Sequence, residues 1–147
     1  MFYELIGTLL GQAAEALSAD PPGDLGDERA QRGQRQLTTL LRRIGAIWPD
    51  LFSALEEECS ILEETVRGTT EAARMHGVVR AESGAVRGSS DPLTRYRELL
   101  CELDEWVILL HERGEEPWAG DALRALRRGL ADAFEVQGRL VDGMLAA

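Results

Sequence analysis

The stretch LTRYRELLCELDEWVILLHER, residues 93–113, decides the fold of this chain. Leu99 and Trp106 widen its main apolar stripe on one flank, so we expect this segment to be covered on more than one side. Asp91 is a suitable N-cap and Pro92 fits the first helical position, which predicts a helix over residues 92–113. Apolar residues recur in it at alternating intervals of three and four, the period of a helix packed lengthwise against other helices. They are Leu93, Tyr96, Leu100, Leu103, Val107 and Leu110.

The rest of the chain repeats this helical period. Further helices are predicted at about residues 2–18, 28–48, 49–83 and 119–145. Segments rich in glycine, proline and serine predict loops at 20–27 and 84–91. Because short connections favour antiparallel neighbours, the predicted fold class is all-α, an up-and-down antiparallel bundle of four to five helices. We expect one domain over residues 1–147.

Pro49 leaves two alternatives open for the second and third of these helices. A helix that began at Pro49 would use Trp48 as its N-cap, a position that tryptophan fills poorly. The apolar register continues through the proline, and the residue four positions earlier is Gly45, where the proline ring meets the least obstruction. We therefore expect a sharp kink or a short break at Trp48-Pro49, with one kinked helix as the alternative to two separate ones.

The chain is acidic and contains neither lysine nor asparagine. Its net charge of −10 argues against nucleic acid and anionic membrane surfaces as partners. All sixteen basic residues are arginine, which excludes Schiff-base chemistry and a phosphate-loop lysine and points to a GC-rich bacterial genome. The apolar segment 2–19 lacks the positive start of a signal peptide and carries Glu4 and Glu15. With only two cysteines and no apolar run of membrane-spanning length, a cytoplasmic location is expected.

Charge alternates in blocks along the first half of the chain. Residues 1–28 hold six acids and no base, residues 29–47 hold five arginines and no acid, and residues 48–71 hold seven acids against Arg67. Adjacent blocks of opposite sign suit surfaces that pair within one chain or between two copies. The alternative is an ordinary solvated surface in which each charge contributes little.

Two glutamate clusters, at residues 56–58 and 63–64, lie within the third of these blocks. They would suit an acidic docking surface for a basic partner, and the alternative is again a solvated helix face. Glu63 and Arg67 are spaced four apart, so we expect them to form an ion pair on the exposed side of their helix.

No motif for metal-dependent or nucleophilic catalysis is complete. Di-iron bundles need Glu-x-x-His pairs, but the residues three before His76 and His111 are Ala73 and Ile108. A single metal held by His76, Cys59 and a glutamate is conceivable, although a histidine or cysteine on an apolar stripe is more often a core residue. The sequence therefore predicts no catalytic residue, no metal ligand and no cofactor.

The leading hypothesis is a non-enzymatic helical bundle that self-associates, for instance as a homodimer, or binds one protein partner. Trp106 is expected in the core, while Trp118 is either an exposed anchor for a partner or a lid on the bundle end. Two alternatives are a small acidic export-type chaperone and a bundle enzyme or small-ligand carrier with an internal cavity. The candidate residues for a groove or interface are Trp48, Cys59, His76, Trp106 and Trp118.

Overall fold

The structure, a computed structural model, describes residues 2–18, 28–79 and 91–147. Every regular element in these ranges is helical, which confirms the prediction of an all-α bundle. The predicted loops at 20–27 and 84–91 lie outside the described residues, except for Asp91. The four helices of the described ranges are α1 (Phe2–Ser18), α2 (Glu28–Met75), α3 (Pro92–Glu112) and α4 (Pro117–Ala146).

These helices form two compact units. Unit 1 contains α1, the first part of α2 up to Leu51, and the last residues of α4 from Arg139. Its buried apolar side chains are Tyr3, Ile6, Ala13, Ile44, Ile47, Leu51 and Leu140. Unit 2 contains α2 from Phe52, the whole of α3, and α4 up to Gly138. Its largest buried side chains are Leu62, Leu99, Leu103, Trp106, Leu110 and Leu126.

Helix α2 continues through Pro49 without interruption. The prediction of two helices, 28–48 and 49–83, is therefore wrong, and the single continuous helix is the alternative that is observed. Ile47 before the proline and Leu51 after it are both buried, so packing stabilises the helix on either side of the missing hydrogen bond. The carbonyl that the proline ring approaches belongs to Gly45, as the sequence suggested.

The end of α2 is set by Gly77. Gly77 has a φ of +74°, its N–H donates to the carbonyl of Arg74 at 3.0 Å, and the Val78 N–H donates to the carbonyl of Ala73 at 3.0 Å. These two bonds form a Schellman motif, for which a glycine in the left-handed region is the preferred residue. The helix therefore ends at Met75, eight residues before the predicted end at Ser83.

The second half of α2 buries the side that its apolar period predicts. The members of this stripe after Pro49 recur at intervals of three and four and are all buried. Leu51 lies in unit 1, and the members in unit 2 are Leu55, Cys59, Leu62, Val66, Thr69 and Ala73. The buried face of helix α3 is rotated about the helix axis from the face that the sequence predicts. Its expected flank, Leu99 and Trp106, is almost fully buried, at 0% and 1% exposure, whereas Leu100 and Val107 from the expected centre are half-buried.

Helix α3 begins where the sequence predicts. The Asp91 carboxylate accepts a hydrogen bond from the Thr94 N–H at 2.8 Å, and Pro92 takes the first helical position. The Thr94 hydroxyl also donates to this carboxylate. The bond from the hydroxyl is the largest cause of a lowered pKa at Asp91, followed by the bond from the Thr94 N–H.

The directions of the helices in unit 2 differ from an up-and-down arrangement. Cys59 of α2 contacts the Pro92 carbonyl at the start of α3, while His76, just after α2, stacks on Trp118 at the start of α4. Since only residues 113–116 join α3 to α4, α3 also ends near the end of α2. Helix α4 is therefore antiparallel to both neighbours, but α2 and α3 run in the same direction.

Helices α2 and α4 approach each other closely at Gly129. A Cβ on this glycine would lie 2.8 Å from Thr65 Cγ2 and 3.0 Å from Thr65 Cβ, and it would also collide with Thr65 Oγ1. Packing against Thr65 thus explains the glycine at position 129 inside α4. On α4, Phe134 is 54% exposed, whereas Ala133 and Val136 are buried.

Candidate functional site

His76 and Trp118 meet at one end of unit 2. Their rings stack with centroids 5.0 Å apart and planes inclined by 8°. Trp118 Nε1 donates to Glu116 Oε2 at 2.5 Å, and Arg113 Nη1 donates to Glu116 Oε1 at 3.0 Å. The bond from Trp118, together with Arg113, lowers the pKa of Glu116. Because Trp118 is half-buried and bonded in this way, its contacts favour the lid over the exposed anchor.

Cys59 is a core residue. Its side chain has no exposed surface, and its thiol contacts the Pro92 carbonyl oxygen at 3.6 Å. Burial is the largest cause of a raised thiol pKa at this position, and the nearby Glu63 and Glu58 act in the same direction against Arg95. A thiol held in its neutral form away from solvent is a poor nucleophile and a poor metal ligand. The second cysteine, Cys101, is exposed.

A polar network that the sequence analysis missed crosses the core of unit 2. Glu58 is fully buried, and the Gln137 side-chain amide donates to Glu58 Oε2 at 2.7 Å and to the Tyr96 hydroxyl oxygen at 2.9 Å. Burial, followed by the charge of Glu58, raises the pKa of Tyr96 to about 12. The network joins all three helices of the unit, so it restricts how they can pack against one another.

The position of Glu58 corrects the prediction of a continuous acidic docking surface at residues 56–58. Glu56 and Glu57 are exposed, but Glu58 faces the core. The signal was present in the sequence, because Glu58 lies seven residues after Leu51 and four before Leu62, within the register of the buried stripe. A carboxylate at such a position needs buried partners, and Gln137 and Tyr96 supply them.

The expected ion pair between Glu63 and Arg67 is not observed, because Glu63 pairs with Arg95 instead. Arg95 Nε donates to Glu63 Oε1 at 2.6 Å, which links α3 to α2. Arg67 pairs instead with Glu64 three residues earlier, with Nε at 3.2 Å from Oε2. Both side chains of that second pair are about two-thirds exposed, at 67% and 68%. The hydrogen bond from Arg67 lowers the pKa of Glu64.

The remaining candidate residues do not join the pair formed by His76 and Trp118. Trp106 is 1% exposed in the core of unit 2, and Trp48 is 46% exposed on unit 1. Cys59 lies about 25 Å from His76 along the axis of α2, so the two cannot hold one metal ion. Among the described residues, no three His, Cys, Asp or Glu side chains converge as a metal site.

The first part of α2 carries a surface that we call the arginine face, formed by Arg32, Arg35, Arg42 and Arg43. The spacings of three, seven and one place these four residues on one side of the helix. Arg32, Arg35 and Arg42 are exposed, and Arg43 is half-buried with its Nε out of contact with solvent. In the described part of the chain no ion pair is found for any of them, whereas arginines 67, 95, 113 and 124 have carboxylate partners.

A shallow depression adjoins the arginine face, lined by Gln34, Arg35, Thr38 and Thr39. The hydroxyls of both threonines donate to carbonyls one turn earlier, at 2.9 and 3.0 Å. Their polar groups are thus satisfied within the helix, and a molecule that covers this surface would leave no hydroxyl without a partner.

Comparison with protein-family models, curated proteins and solved structures finds no match for this chain. None of the helices in the described ranges combines the length and the apolar character needed to cross a membrane.

Proposed function

We propose that this protein is a non-enzymatic interaction bundle whose arginine face binds an acidic protein surface. The observation that carries the proposal is the arginine face itself. It presents four guanidinium groups within three turns of α2, in a segment, residues 29–47, that contains no acid. A guanidinium group binds carboxylates through two parallel hydrogen bonds, which makes arginine the basic residue best suited to protein interfaces.

The polar groups in the core of unit 2 support a structural role for that unit. Glu58, Gln137 and Tyr96 are bonded to one another, and Cys59 has no exposed surface. Such groups stabilise one packing arrangement of the helices, and Glu58, Tyr96 and Cys59 are buried away from any substrate. Unit 2 would then act as the stable body of the molecule, and binding would take place on its surface and on that of unit 1.

The overall charge of the chain favours protein over nucleic acid as the partner. At physiological ionic strength the Debye length is about 8 Å, so the arginine face attracts carboxylates that come into direct contact with it. A long polyanion would also approach the rest of a chain whose net charge is −10. A protein surface with a few well-spaced carboxylates avoids most of this repulsion.

A cytoplasmic location forms part of the proposal. Both cysteines are free thiols, and Cys101 is exposed. An exposed free thiol is better tolerated in a reducing compartment than in an oxidising one.

The proposal is tested with a fluorescent decaglutamate peptide as the acidic probe. Fluorescence anisotropy should show saturable binding to the wild-type protein, weakened at high salt, and Arg35→Gln/Arg42→Gln should reduce the affinity at least about tenfold. The matched control is Arg127→Gln/Arg128→Gln, which removes two exposed arginines from α4 and should bind like the wild type. Equal loss in both variants, or tighter binding of a DNA oligonucleotide with the same number of charges, would contradict the proposal.

A further inference from the structure

We infer that the acidic surface bound by the arginine face belongs to a second copy of this chain, so that the protein forms a homodimer. This inference rests on the proposed function and names its partner. The surface in question, which we call the acidic face, consists of Glu57, Glu64 and Glu71 on the part of α2 that belongs to unit 2. All three glutamates are exposed.

The two faces match in spacing. Arg35 and Arg42 are seven residues apart, which is two helical turns or about 10.5 Å along α2. Glu57 and Glu64 are also seven apart, and Glu71 continues the interval. Two guanidinium groups at this interval can therefore meet two carboxylates on another helix at the same time. Both pairs also drift around their helices by the same small angle per seven residues, so the match holds for helices laid side by side.

The residues between the charges allow two helices to approach each other. Thr38 and Thr39 lie between Arg35 and Arg42, and Ser60 and the half-buried Ile61 lie between Glu57 and Glu64. None of these four side chains is charged, and the threonine hydroxyls are already bonded to their own helix. No competing charge therefore lies between the paired residues of either face.

Glu64 is available for a partner because its present bond is exchangeable. It pairs with Arg67 on the surface, where both side chains are about two-thirds exposed, at 68% and 67%. An exposed ion pair of this kind contributes little to stability, because solvent screens its charges. Glu64 can therefore exchange Arg67 for an arginine of another copy as its ion-pair partner at a low energetic cost.

A second copy is favoured over other acidic partners by symmetry. In a pair with two-fold symmetry each contact occurs twice, so the arginine face of each copy binds the acidic face of the other. Two sets of ion pairs, which use Arg35 and Arg42 of both copies, then form between the two chains, and their number offsets the weakness of each pair. The repulsion between two chains of charge −10 acts over distances that salt screens, whereas the paired groups are in contact.

Charge reversal tests this inference. Arg35→Glu/Arg42→Glu and Glu57→Arg/Glu64→Arg should each weaken self-association at least about tenfold, because each homodimer would bring like charges together twice. An equimolar mixture of the two variants should associate like the wild type, since one variant then supplies two glutamate-bearing faces and the other supplies two arginine-bearing faces. Size-exclusion chromatography with light scattering measures the mass, and circular dichroism melting confirms that each variant is folded.

The outcomes separate this inference from the proposed function. Restoration in the mixture supports the homodimer. A wild-type protein that is monomeric but binds decaglutamate through Arg35 and Arg42 overturns the homodimer and leaves the proposed function standing. A wild-type dimer that neither reversal weakens also overturns the inference. A wild-type protein that neither dimerises nor binds decaglutamate contradicts both the inference and the proposed function.

Discussion

The close approach of α2 and α4 predicts opposite effects for two similar substitutions. Alanine ordinarily stabilises a helix by about 1 kcal/mol over glycine, because it loses less backbone entropy on folding. No atom lies within 4 Å of the position that a Cβ would take at Gly138. Gly138→Ala should therefore raise the free energy of unfolding by about this amount. At Gly129 the same new atom would lie 2.8 Å from Thr65 Cγ2.

Thr65 has little freedom to move away from an added methyl group. Its hydroxyl donates to the Ile61 carbonyl at 2.8 Å, and a threonine in a helix has few allowed rotamers. Overpacking of this kind costs about 1–3 kcal/mol. Since both substitutions gain the same helix propensity, Gly129→Ala should be less stable than Gly138→Ala by about 1–3 kcal/mol.

Urea unfolding monitored by far-UV circular dichroism measures both free energies. A double-mutant cycle adds Thr65→Ala, which removes Cγ2 and Oγ1 and leaves the Cβ at 3.0 Å from the new methyl group. The cycle should give a favourable coupling energy of about 0.5–3 kcal/mol, because the second substitution relieves the clash made by the first. The reasoning is refuted if Gly129→Ala stabilises the protein as much as Gly138→Ala, or if the coupling is zero.

Three further predictions concern unit 2 and the end of α2. The pKa of Tyr96 is raised from 10.0 to about 12 by burial, so the folded protein favours its neutral form. The resulting contribution to the free energy of unfolding is complete below pH 10 and is lost as the pH rises to about 12. Urea unfolding measured across that pH range should show this loss in the wild type and not in Tyr96→Phe. In the native protein a thiol reagent should modify Cys101 quickly and Cys59 only after unfolding, so modification of two thiols per native chain would contradict the burial of Cys59. Gly77→Ala should lower the free energy of unfolding by about 1 kcal/mol because φ is +74° at this residue, and an unchanged or raised value would contradict the Schellman motif.

Local features of the fold could be predicted from the sequence. The buried stripe of α2 after Pro49 follows from its intervals of three and four, and every member from Leu51 to Ala73 is buried. The start of α3 at Asp91 and Pro92 follows from the chemistry of helix capping. Both features depend on residues within one or two turns of one another, which is the range that a sequence pattern records.

Features that depend on neighbouring helices could not be predicted in the same way. The rotation of α3 toward Trp106 depends on neighbouring helices, since α3 bonds to α2 through Arg95 and to α4 through Tyr96. The parallel direction of α2 and α3 is established by contacts between different helices, of Cys59 with Pro92 and of His76 with Trp118. The end of α2 did have a signal in the sequence at Gly77, since glycine is the preferred residue after a helix end.

For the candidate residues too, the sequence indicates which residues are notable but not which residues of other helices they contact. The sequence identified His76, Trp118 and Cys59 as notable, but no pattern within one helix indicates that His76 stacks on Trp118 from another helix. Glu58 was assigned to the surface because it belongs to a run of glutamates, although its register with Leu51 and Leu62 indicates burial. Its partners lie on two other helices, so their identity required the structure.

Sedimentation velocity of the wild-type protein tests the central claim, that the arginine face mediates self-association, most directly. At an ionic strength of about 0.15 M the mass should rise with protein concentration from 16.2 kDa toward that of two chains, and at about 1 M salt it should return toward one chain. The ion pairs between the two faces are screened at the higher salt concentration, which accounts for the change. A mass of one chain at every concentration and at both ionic strengths would contradict the account.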